Sequence, residues 1–176
     1  SGAGPTGVPA MKVVDNVLTH IPDEEEKLLK EMDKILGRYV GDAVEPFPTP
    51  IAATCTRVPV RDGHTVAVSL GLEREAPLDE VSAVLAAYRG RAQELALPSA
   101  PEVPIVVRSE ADRPQPWLDR DVDGGRVVSV GRIRDQDALP NGIAYVAVGH
   151  NHDRGTVGNA VILTELVARE GLSQGR

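Results

Sequence analysis

Two side chains seven positions apart hold the first chemical possibility in this sequence, Arg57 and His64. Arginine presents a permanently charged planar fork that grips a carboxylate or phosphate bidentately. Imidazole side chains as a class titrate near neutral pH and can pass protons. The pair suits acid–base chemistry on an anionic substrate. Between them stands Asp62-Gly63, a strong turn signal. Thr54 to Val60 is β-branched and apolar, and Thr65 to Leu72 alternates. The spacing therefore predicts a hairpin with Arg57 and His64 at its mouth. The competing reading is a surface arginine and a hairpin-end histidine.

Other candidates are weaker. Cys55 could pair with His64 as nucleophile and base, but it sits in an apolar stretch where cysteine usually acts as a small buried hydrophobe. His150, His152 and Asp153 offer metal-binding atoms, yet no further ligand has a recognisable spacing, so no metal is expected. Glu24 and Lys27, three apart on a helix, share one side and read first as a solvated ion pair. Gly2 and Gly4 lack the preceding strand and third glycine of a dinucleotide fingerprint.

The secondary structure around these groups is legible in part. Val8, Met11, Val14, Val17 and Leu18 fall at helical spacing, opened by Pro9. Ile21-Pro22-Asp23 breaks that run and caps a second helix, Glu24 to Leu36. Its first turn is acidic, as suits a helix N-terminus. Residues 37–50, with three prolines, read as a loop. Pro77 to about Leu95 predicts a helix, Val103 to Arg108 a short strand, and Asp112 to Asp121 a charged, proline-fixed loop with the chain's tryptophan. Arg126 to Arg134 and Gly142 to Gly149 read as strands joined through Asn141-Gly142, and His150 to Gly155 as a polar loop. A last helix, about Thr156 to Glu170, ends at Gly171. Strands joined by tight turns imply an α+β fold, a largely antiparallel sheet with helices on one face.

The chain has 176 residues, enough for one domain with a real core. Its hydrophobic fraction of 41% and charged fraction of 26% mark it as globular. A net charge of −7 and the lack of a basic stripe argue against nucleic acid as partner. No apolar run reaches membrane-spanning length. One cysteine excludes an internal disulfide and suits a reducing, cytoplasmic setting. The Gly-rich start, Ser1 to Gly7, has no strand before it, and the first methionine is Met11, so the chain is expected to be the back half of a longer protein.

Several segments, taken in order, resemble a known family. They are Ser1-Gly2-Ala3-Gly4 leading to Asn16, Glu24-Glu25-Glu26-Lys27, and Lys34-Ile35-Leu36-Gly37. Cys55 through His64, Asp112-Arg113-Pro114-Gln115-Pro116 with Asp119-Arg120-Asp121, Val130 to Arg134, and His150-Asn151 with Arg154-Gly155 complete the set. The set is similar to the C-terminal domain of aspartate-semialdehyde dehydrogenase in its archaeal and fungal branch, and covers nearly the whole chain. The resemblance implies the C-terminal-domain fold shared by the semialdehyde and glyceraldehyde-phosphate dehydrogenases. It implies one substrate-binding and dimerisation domain over 1–176, with a separate N-terminal NADP-binding domain that supplies the nucleophilic cysteine.

The activity the resemblance implies is NADPH-dependent reduction of aspartyl β-phosphate, an acyl phosphate, to aspartate semialdehyde and phosphate. Carried over by position, His64 resembles the general acid/base and Arg57 the arginine that holds the substrate α-carboxylate. Glu24 resembles the glutamate meeting the substrate amine, and Lys27 the lysine at the phosphate. Ser1, Gly2 and Gly4 resemble the loop along the nicotinamide end of NADP, and Asn151 a further cofactor contact. Cys55 matches a strand residue rather than the nucleophile, so activity is expected only once the N-terminal domain is joined. The implied partners are a second copy or a nucleotide-binding half. A non-catalytic assembly module and a coenzyme A thioester reductase of the same family remain as alternatives.

Overall fold

The computed structural model describes residues 13–171, and the chain divides into two compact units, the first ending at Arg61 and the second beginning at Asp62. The part of the expected Val8–Leu18 helix that precedes residue 13 lies outside the described residues. Residues 13–15 form a turn, and Leu18 makes a β-bridge instead of a helical turn. Asp15 is at φ 52°, and the Asn16 side chain accepts the N–H of Val17 at 2.9 Å. Such local bonds compete with helix formation.

In the first unit α1 spans Glu24–Leu36, with Glu24, Glu25 and Glu26 in its first turn and Lys34 in its last. These charges complement the helix dipole. Asp23 stands at the N-cap with φ 63°, but its side chain makes no capping bond. The first turn is closed by backbone bonds instead, Glu24 N–H to Ile21 O at 3.3 Å and Lys27 N–H to Asp23 O at 3.0 Å. The stretch expected as loop folds into an antiparallel hairpin, β1 (Arg38–Val40) and β2 (Ala43–Glu45). Gly41, at φ 61°, makes its tight turn. None of the described residues of this unit is fully buried.

The hairpin expected from 54–60 and 65–72 does not form. Residues 54–60 make one β-bridge, Arg57 with Leu18. Pro59 lacks the N–H a ladder needs, which keeps this segment from continuing as a strand. The second arm, β3 (His64–Gly71), pairs along its full length with a distant strand.

The second unit is built on a four-stranded sheet. With β4 (Ile105–Val107), β5 (Val128–Asp135) and β6 (Gly142–Gly149), its spatial order is β3-β6-β5-β4. β3/β6 and β5/β6 are antiparallel, and β4/β5 is parallel. The register places His64 opposite Gly149, Gly149 opposite Val128, and Val128 opposite Ile105. One end of the sheet therefore gathers the starts of β3, β5 and β4 with the finish of β6. The core comprises Leu97, Val127, Val130, Ile143, Ala144 and Val148. Burying each larger aliphatic side chain contributes roughly 1.5–3 kcal/mol.

The expected 77–95 helix is two pieces, α2 (Leu78–Ala87) and α3 (Arg91–Glu94). Gly90 separates them, its N–H held by the Gln93 side chain at 3.0 Å to start the new turn. A glycine inside a helix costs about 1 kcal/mol relative to alanine, which favours the break here. A short helix, α4 (Pro116–Asp119), occupies the expected 112–121 loop. The last helix, α5 (Val157–Glu170), ends at Gly171 with φ 70°, the left-handed stop that glycine permits. Glu165 on α5 accepts both the N–H and the hydroxyl of Ser99, at 3.0 and 2.7 Å. The result is an α+β fold with a mostly antiparallel sheet. No helix among the described residues is long and apolar enough to cross a membrane.

Candidate active site

In the second unit, His64 is exposed at the first position of β3, opposite Gly149, and Asn151 lies two residues past that partner. The pairing alone brings the two to one sheet end. A side-chain bond fixes them further, since the N–H of Gly63 donates to Asn151 Oδ1 at 2.8 Å. Gly63 has φ +106°, and a Cβ on it would lie 3.3 Å from Pro116 Cβ and 3.4 Å from Arg120 Cβ. Only glycine meets both demands without strain.

Arg120 closes the other side of that turn. Its guanidinium Nη1 donates to the carbonyl of Asp62 at 3.2 Å, while Nε meets Asp121 Oδ2 at 3.3 Å. The side chain is buried and lies beneath the exposed Trp117, 5.7 Å from the ring centroid. That is cation–π range.

Asp119, with no exposed surface, organises the loop that delivers Arg120. Arg113 grips it with a fork of two bonds, Nε to Oδ2 at 2.8 Å and Nη2 to Oδ1 at 2.7 Å. The N–H of Gln115 adds a third, at 2.6 Å. Arg108 Nε sits 2.9 Å from Oδ1 as a charge contact without an aligned hydrogen bond. Burial by itself would raise the pKa of Asp119. The Arg113 bonds, the Gln115 N–H and the charges of Arg108 and Arg113 outweigh that and hold the carboxyl below its ordinary range.

His150 serves the backbone. Its Nδ1 accepts the N–H groups of His152 and Asp153 at 3.1 and 3.2 Å, capping the single π-helical turn Asn151–Gly155. That lone pair is already engaged, and among the described residues no three His, Cys, Asp or Glu side chains are grouped to hold a metal.

In the first unit, α1 is tied to the 55–57 segment by Glu25, whose carboxylate accepts the N–H of Cys55 at 2.7 Å. The backbone of Arg57 is fixed on both sides by Leu18, at 2.9 and 3.0 Å. This connects the helix start bearing Glu24 and Lys27 to the segment bearing Arg57. Glu24 and Lys27 are both exposed, and they do not form the expected pair. Lys27 reaches Glu31, one turn on, at 3.7 Å. The thiol of Cys55 is pushed up by burial first and then by the Glu25 and Glu24 carboxylates. A thiol so placed resists ionising, which is the opposite of what a nucleophile needs.

Ser1, Gly2 and Gly4 lie outside the described residues. The residues that sequence reasoning passed over are Arg113, Asp119 and Arg120. The 112–121 stretch stood out for its charges and prolines, but nothing in it said that Asp119 turns inward.

The family model described as the semialdehyde dehydrogenase dimerisation domain matches residues 1–152. The chain is 47% identical to the aspartate-semialdehyde dehydrogenase of Methanothermobacter thermautotrophicus over 95% of its own length and 48% of that protein's. It is 42% identical to the one from Archaeoglobus fulgidus, over 97% of the chain and 48% of the relative. The crystal structure of aspartate semialdehyde dehydrogenase with NADP from Candida albicans superposes with a TM-score of 0.83 at 39% identity, over 94% of the chain and 48% of that structure. The chain thus spans about half the length of the relatives it matches.

Proposed function

The chain belongs to the semialdehyde dehydrogenase family, with the family's dimerisation domain over residues 1–152, and from that premise we propose that it is the substrate-binding, acid–base and dimerisation half of an aspartate-semialdehyde dehydrogenase. In the reaction, an acyl phosphate passes its acyl group to a cysteine thiol of the other half, with release of phosphate, and the thioester is reduced to the aldehyde. NADPH, when bound, supplies the hydride. Carriage of NADP by the Candida relative supports the same cofactor here.

His64 is the acid/base in this reading. It takes the thiol proton as the acyl group is attacked and returns one as the products form. The observation that carries the assignment is its place at an exposed strand start, on a turn pinned by Asn151. Asn151 also fits a cofactor contact. With Oδ1 engaged by Gly63, its amide still offers N–H donors to an acceptor oxygen. Ser1, Gly2 and Gly4 would carry the rest of that contact, on sequence alone.

Arg57 holds the substrate carboxylate through its fork. Lys27 meets the phosphate as a point charge and Glu24 meets the substrate amine. The tie between Glu25 and Cys55 supports this grouping by joining the helix start to the Arg57 segment. A homodimer is the expected assembly. The test is NADPH turnover by the full-length enzyme with aspartyl phosphate. His64→Gln should lower kcat by about 100-fold or more, with oligomeric state unchanged. Full activity in His64→Gln would refute the assignment.

A further inference from the structure

We infer that Arg120 is a positioning residue for His64, acting through the Asp62–Gly63 turn. The inference rests on the acid–base reading of His64 and adds a component to it.

Two polar backbone groups of the turn before β3 are each held by a side chain. The Gly63 N–H is taken by Asn151 at 2.8 Å, and the Asp62 carbonyl by Arg120 Nη1 at 3.2 Å. Asn151 comes from the loop after β6, and Arg120 from the segment between β4 and β5. Two clamps from separate parts of the chain thus hold the N–H and the carbonyl of one peptide unit, the Asp62–Gly63 bond, one residue ahead of His64.

Arg120 is well suited to the task. Its side chain is only 9% exposed, unusual for an arginine. Its stem packs against the point a Gly63 Cβ would take, with its own Cβ 3.4 Å and Cδ 3.7 Å from it. Separate nitrogens reach the Asp62 carbonyl and Asp121, and the Trp117 ring covers the group. A lysine has one nitrogen and could not serve both partners with the same geometry. Beneath this arrangement, Arg113 and Asp119 lock the short helix that ends at Asp119, directly before Arg120.

Displacement of an acid–base group by about 1 Å can cost on the order of 100-fold in rate. Losing the Arg120 clamp should therefore lower kcat and leave KM nearly unchanged.

The test is a double-mutant cycle in the full-length enzyme, with Arg120→Met, His64→Gln and the pair, assayed with NADPH and aspartyl phosphate. Arg120→Met should lower kcat about 10- to 100-fold in the His64 background. It should lower kcat less than about twofold in the His64→Gln background, because the group it positions is already gone. Arg120→Lys, which keeps the charge under Trp117, should show a smaller loss with the same non-additivity and guards against a folding failure of the methionine variant. Equal fold-losses in both backgrounds, or no loss with His64 present, would overturn the positioning role and leave the acid–base reading intact. A fully active His64→Gln would instead remove the acid–base reading, and this inference with it.

Discussion

The carboxamide of Asn151 and the backbone N–H of Gly63 lie 2.8 Å apart across a sequence separation of 88 residues. That single bond joins the turn ahead of β3 to the loop after β6, at the sheet end where His64 stands.

Gly63 is the least replaceable residue of that turn. Gly63→Ala forces φ +106° on a residue with a Cβ and pushes that carbon to 3.3 Å from Pro116. The expected cost is about 1–3 kcal/mol of stability, read from the midpoint of urea unfolding of the full-length protein. An alanine variant as stable as the parent would mean that the turn relaxes freely.

Asp119→Asn should be more damaging. It removes the buried counter-charge shared by the Arg113 and Arg108 guanidiniums, leaving Arg113 only the half-exposed Glu110 at 3.8 Å. Removing one partner of a buried ion pair typically costs about 3–5 kcal/mol, and solvent reaching the two arginines places the expected loss toward the lower end. The effect has a defined pH dependence. A carboxyl whose pKa is lowered by folding stabilises the fold fully above its unfolded value, about 3.9, and the stabilisation fades as pH falls through the folded value. The stability gap between parent and Asp119→Asn should thus be constant near pH 7 and shrink below about pH 4. Denaturant titrations at several pH values measure it.

Cys55 should be chemically quiet. Its thiol is pushed up by burial and by the neighbouring Glu25 and Glu24 carboxylates, so iodoacetamide at pH 7 should label it more slowly than free cysteine. Cys55→Ser in the full-length enzyme should retain turnover within about twofold. A loss of 100-fold or more would reinstate Cys55 as a nucleophile.

Arg57→Lys tests the substrate assignment. The substitution keeps the charge but loses the fork, and a bidentate grip on a carboxylate is worth about 1.5–3 kcal/mol. KM for aspartyl phosphate should rise about 10- to 100-fold, while KM for NADPH stays near the parent value. Steady-state kinetics with each substrate varied in turn separates the two.

Helix α1 and strand β6 were fully legible in the sequence, with ends where the periodicity puts them. Their signals are local, an acidic first turn in one and a run of Ile, Tyr and Val in the other. The Asp62-Gly63 turn was recognised, but its arms were wrongly joined. Turn chemistry reports that the chain bends, and not which strand will pair with the one that follows. The β1–β2 hairpin carries a signature in Tyr39-Val40-Gly41-Asp42-Ala43-Val44, but the prolines that follow argue locally for a loop and mask it. Residue type and spacing single out His64 and Arg57 in the sequence, and the resemblance adds roles for Glu24 and Lys27. Arg120 and Asp119 were invisible as individuals, since burial of a charged side chain depends on partners as distant as Asp62.

The parallel pairing of β4 with β5 has a further consequence. Antiparallel neighbours can be joined by two residues, whereas strands running the same way need a return leg of a dozen or more. Here the return leg is residues 108–127, and it must travel back to the edge where both strands begin. Arg120 rides on that leg, so the direction of a three-residue strand bears on the anchor of the Asp62 carbonyl, while the Asn151 anchor arrives from elsewhere. A graft that reversed β4 and trimmed the detour could keep the hydrophobic interior and still leave the Asp62 carbonyl without its anchor.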